Sequence, residues 1–188
     1  MNALCDGFPT AVAIGGREYA INADFRDCLR IILAFEDGTL TPEEQQCVML
    51  ERLYKEIPPN LIEACEMAVL FLNCGESKRS DAAGSGARLY SFQHDADYIW
   101  AAFRQTYGID LETVDFLHWW KFVHLFMNLR EDCFFQQMIY LRRKKQKGAL
   151  TKEEQRAYTD MRDILDLPLT EDEQETADEF MKALKGLV

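Results

Sequence analysis

The stretch from Thr113 to Leu129, TVDFLHWWKFVHLFMNL, most restricts what this chain can fold into. From Phe116 to Leu129, ten of fourteen residues are apolar or aromatic, and the polar four are His118, Lys121, His124 and Asn128. At about 100° per residue on a helix, their spacing places those four within an arc of roughly 120°. The rest of the surface is large and apolar, as on a helix that neighbours cover from most sides. The pattern predicts the central helix of an all-α domain, with one polar stripe along it.

With 188 residues, 48% of them hydrophobic, the chain has enough apolar mass for one sizeable core. The division expected is a mostly helical domain over residues 1–168 and an acidic C-terminal extension over residues 169–188. A formal net charge of −11 argues against a protein that neutralises phosphates, so no nucleic-acid partner is expected. The one basic run, Arg142, Arg143, Lys144, Lys145 and Lys147, reads as the solvated C-terminal end of a helix. Six cysteines without a CxxC pair fit a reducing compartment and no disulfide framework. No apolar run approaches the roughly 18 residues of a membrane span, and no leader pattern opens the chain. These features predict a soluble, intracellular protein.

Ala11-Val12-Ala13-Ile14, Gly15-Gly16 and Arg17-Glu18-Tyr19-Ala20-Ile21 predict a β-hairpin within about residues 8–22. Helices are expected from Asp24, from the Thr41-Pro42-Glu43-Glu44 capping box, and from Asn60 or Leu61 to about Asn73. The third should bury Leu61, Cys65, Ala68, Val69 and Leu72. From Glu76 to Arg88 the composition turns small and polar, which predicts a flexible loop over about residues 75–88. A helix ending at Gly108 follows, with Asp95 and Asp97 in its first turn, and then the central helix. Another covers about Glu131 to Arg142, and a second capping box at Thr151 opens one that Pro168 breaks. The segment beyond Thr170 is acidic first and basic last, with an apolar patch that includes Phe180 and Leu184. In all, about six to eight helices and one hairpin are expected.

Each chemistry-bearing residue falls short of the reaction it most resembles. His94-Asp95 has the form of the metal-binding pair of HD phosphohydrolases, but that fold needs further metal-ligating histidines or aspartates, and only two other histidines are present. His118 and His124 would point about 120° apart on a helix, which misses the three- or four-residue spacing of a helical zinc pair. There is no GxSxG elbow, no GxxxxGK[ST] loop, and no cysteine tied to a base by a local signature. No enzyme activity, cofactor or metal is therefore expected. The stripe of His118, Lys121, His124 and Asn128, together with Phe180 and Leu184, is the candidate partner-binding set.

Three blocks carry a family resemblance: Ile21-Asn22-Ala23-Asp24-Phe25-Arg26 after the hairpin, Tyr90-Ser91-Phe92-Gln93-His94-Asp95-Ala96-Asp97-Tyr98-Ile99, and Leu117-His118-Trp119-Trp120-Lys121-Phe122. In order and approximate spacing they resemble the bacteriophage gene-product-fifteen family of siphophages and prophages, over roughly residues 8–168. The resemblance implies a tail-module protein of the tail assembly chaperone kind, which coats the tape measure protein and recruits tail tube subunits. It implies self-association into a coat, work in the host bacterial cytoplasm, and no catalytic residues. A structural virion component, such as a tail completion or connector protein, is the alternative in the same setting. A metal-dependent hydrolase centred on His94 and Asp95 is the more remote one.

Overall fold

The computed structural model describes residues 4–76 and 88–168. Phe180 and Leu184, and most of the expected 75–88 loop, lie outside the described residues. Ala11–Ile14 (β1) and Arg17–Ala20 (β2) pair antiparallel, with Ile14 opposite Arg17. Gly15 and Gly16 between them sit at φ of 56° and 79°, a primed turn that a side chain would strain. The hairpin packs inward through buried Val12, Ile14 and Tyr19. The Gly15 N–H donates to Glu63 Oε1 at 3.1 Å, tying the turn to a neighbouring helix.

Eight helices follow among the described residues: Phe25–Glu36 (α1), Pro42–Leu53 (α2), Leu61–Leu72 (α3), Ala96–Tyr107 (α4), Trp119–Met127 (α5), Phe134–Gln146 (α6), Lys152–Asp160 (α7) and Arg162–Leu165 (α8). The fold is mainly helical, as the sequence pattern predicts. Asp24 caps α1, and Thr41 and Thr151 close complete capping boxes with Glu44 and Glu154. Gly108 ends α4 in the left-handed conformation.

Helix α5 is central, with Phe122 at the middle of an aromatic stack. Its ring lies 5.0 Å from Phe25 of α1 on one side and 5.0 Å from Phe103 of α4 on the other, nearly parallel to both. One turn on, Phe126 meets Phe135 of α6 at 5.6 Å. The core runs from the hairpin through α1–α6, and a smaller cluster of Met138, Tyr158 and Leu165 seats α7 and α8.

The central helix is shorter than its apolar run. Residues 113–118, expected to be helical, are not, because their backbone is used elsewhere. The Trp119 N–H donates to the Ala23 carbonyl at 2.7 Å and the Phe25 N–H to the Leu117 carbonyl at 2.9 Å. Asp24 and His118 thus face each other in an isolated antiparallel bridge and become the N-caps of α1 and α5. The helix expected to run from Thr151 to Pro168 is likewise broken at Met161 into α7 and α8.

Candidate partner interface

His118 does not join a stripe. It is buried, at 6% exposure, and caps α5 by accepting the Trp120 N–H at Nδ1 over 3.1 Å. With Nδ1 an acceptor, Nε2 carries the proton and donates to the Pro9 carbonyl at 2.9 Å. Burial holds its pKa below the usual 6.5, against the opposing pull of the Pro9 carbonyl. Phe8 stacks on His118 at 5.1 Å and reaches His124 at 6.3 Å, which carries the N-terminal segment across the start of α5.

Lys121, His124 and Asn128 are exposed along α5, with Met127 half exposed beside them. Asn128 also ends the helix, its amide donating to the His124 carbonyl at 2.8 Å. The remaining row of cation, imidazole and amide has no catalytic geometry, and it can serve as a polar contact surface. The two adjacent tryptophans, Trp119 buried and Trp120 half-buried, hold the end of another helix. Trp119 Nε1 donates to the Leu72 carbonyl at 2.9 Å, and Trp120 Nε1 donates at 2.7 Å to the Phe71 carbonyl, which also accepts the Cys74 N–H.

Asp95 is not a solvated first-turn carboxylate, and Arg142 is not part of a solvated helix end. Both are buried and paired fork to fork, with Nη1 to Oδ2 at 2.7 Å and Nη2 to Oδ1 at 2.9 Å. Arg142 also donates to the carbonyls of Leu89, Ile164 and Leu165, while Asp95 accepts the Ser91 N–H. This clamp joins α6 to the segment before α4 and to α8. Its sequence signal is faint, because an arginine inside a basic run looks like its exposed neighbours. Both Asp95 oxygens are thereby engaged, and His94 is exposed on the rim of a groove of about 770 Å³ between the end of α1, residues 88–94 and Pro168. Among the described residues no three His, Cys, Asp or Glu side chains converge as a metal-ligand set.

The six cysteines are free thiols. Burial pushes the Cys28 thiol far up, with Asp27 and Asp24 adding to the effect, so it is an inert core group.

Helix α3 departs furthest from its periodicity. It buries Ala64, Ala68 and Phe71, whereas Leu61 and Val69, expected inside, are 52% and 48% exposed. Ile62 beside them is 78% exposed. Ten of the helix's twelve residues are apolar, so its pattern cannot say which side faces the core, and the small residues take that side because they allow close approach.

Among the described residues, no helix is long and apolar enough to cross a membrane. Together the geometry and surface define a mainly helical domain with exposed apolar and polar side chains on the outside of α3 and α5. A family model described as Bacteriophage Gp15 protein matches residues 4–167, and the chain belongs to that family. No curated protein and no solved structure matches it. Membership makes this a phage protein and points to a structural, tail-related role.

Proposed function

We propose that this protein is a non-enzymatic tail assembly chaperone that binds the tape measure protein and keeps it soluble in the host cytoplasm during tail morphogenesis. The observation that carries the reading is apolar helix surface left open on a strongly acidic phage protein: Leu61, Ile62 and Val69 on α3, and Met127 beside Lys121 and His124 on α5. A long amphipathic helix needs such surface to cover its own apolar stripe. A net charge of −11 per copy keeps the coated filament self-repelling and dispersed. Tail tube subunits are the second partner, recruited as the coat is displaced. A coat also requires contact between copies, for which the hairpin and the segment after Pro168 are the proposed surfaces.

Mass spectrometry of purified mature phage tests the reading. An assembly chaperone is expected to be absent from the particle while abundant in the lysate. Recovery in a fixed ratio to tail proteins would make the chain a virion component of the tail completion or connector type.

A further inference from the structure

We propose that the exposed face of α3 docks an amphipathic helix whose apolar stripe is flanked by lysine or arginine. This goes beyond the tape measure reading, since it assigns a surface and a chemistry whichever protein supplies the helix. At about 100° per residue, the exposed Leu61, Ile62 and Val69 fall within an arc of roughly 100° that flanks the buried Ala64, Ala68 and Phe71, with half-buried Cys65 between them. Ile57, in the turn before the helix, is 47% exposed as well. Among the described residues nothing covers these side chains, which is the shape of half a helix–helix contact.

Charge selects the occupant. Glu63 and Glu66 are the charged residues of α3, and Glu66 is exposed at the edge of the strip. Glu63 lies on the other flank of the helix, accepting from Asn60 and from the Gly15 N–H of the hairpin turn, so Glu66 is the carboxylate that an occupant of the strip meets. The neighbouring cations Arg17 and Arg52 are held by Glu56 and Asp27, and Lys55 is exposed in the turn beyond α2. A second copy placed across a two-fold axis on this face brings Glu66 toward its mate, which disfavours self-docking. The segment after Pro168 brings six acidic residues against two lysines. A basic-flanked helix meets attraction where both of these meet repulsion.

The test uses the full chain and two fluorescein-labelled peptides of about 18 residues, five helical turns, with one leucine stripe flanked by lysine or by glutamate. Fluorescence anisotropy is expected to show the lysine peptide binding at least about tenfold tighter than the glutamate peptide. Ile62→Ser with Val69→Ser should weaken it at least about tenfold with an unchanged urea midpoint, and Glu66→Lys should narrow or invert the preference. Equal binding of the two peptides, or indifference to the Ile62 and Val69 changes, would overturn the proposal. So would a dimer in sedimentation equilibrium that those changes abolish, since a second copy would then be the occupant. Tighter peptide binding after Phe180→Ser with Leu184→Ser would also overturn it, giving the face to the chain's own C-terminal segment.

Discussion

At the scale of single residues, two polar groups inside the molecule do more than the exposed charges. His118 is neutral in the fold, because Nδ1 must stay free to accept the Trp120 N–H. Its folded pKa lies below the unfolded value, so the unfolded chain takes up a proton first as pH falls. Its contribution is fully present above about pH 6.5 and is lost as pH drops through the folded pKa. The urea midpoint should therefore fall more between pH 7.5 and 5.5 in the native chain than in His118→Asn, whose amide oxygen can cap without titrating. Equal slopes in the two proteins would contradict that assignment. The second group is the Asp95–Arg142 clamp. Asp95→Ala leaves a guanidinium buried without its counter-charge, and chemical denaturation should show a loss of about 3–5 kcal/mol. Asp95→Leu combined with Arg142→Met should recover much of it. A change within about 0.5 kcal/mol for the single variant would mean an open, solvated pair.

At the scale of elements, local chemistry was legible wherever a short motif has one solution. The Thr41 and Thr151 capping boxes, the Gly15-Gly16 turn and the Gly108 helix end all read directly, because each satisfies its own backbone within a few residues. Boundaries set by distant partners did not. Leu117 and Trp119 pair with the backbone of residues 23–25, almost a hundred positions earlier in the chain, so an unbroken apolar run conceals the true start of α5. The outer row of Lys121, His124 and Asn128 was visible in the spacing, whereas the α3 face was not, since a helix apolar all round gives no direction. The α3–α5 junction supplies a prediction of its own. Gly75 lies at φ +82°, and a Cβ there would stand 3.0 Å from the Trp120 ring. Gly75→Ala should cost about 1–2 kcal/mol from the left-handed backbone alone. Trp119→Ala, which removes a buried ring, should cost about 3–5 kcal/mol by the same denaturation assay. A near-neutral result for Trp119 would mean that α5 does not lie at the core.

For the whole molecule, the balance is between a core rich in stacked aromatics and an outer surface that is acidic but not uniformly polar. Phe122 lets α5 touch α1 and α4 together, so the scaffold is fixed from inside. The sides of α3 and α5 that face outward are then available for contact with other chains. That division of labour suits a protein that must hold a partner without becoming insoluble itself, and it underlies the chaperone reading. Coexpression with the tape measure protein of the same phage is the most direct measurement. The account predicts that the tape measure copurifies with this chain and moves from the insoluble to the soluble fraction. A tape measure that neither copurifies nor gains solubility would contradict it.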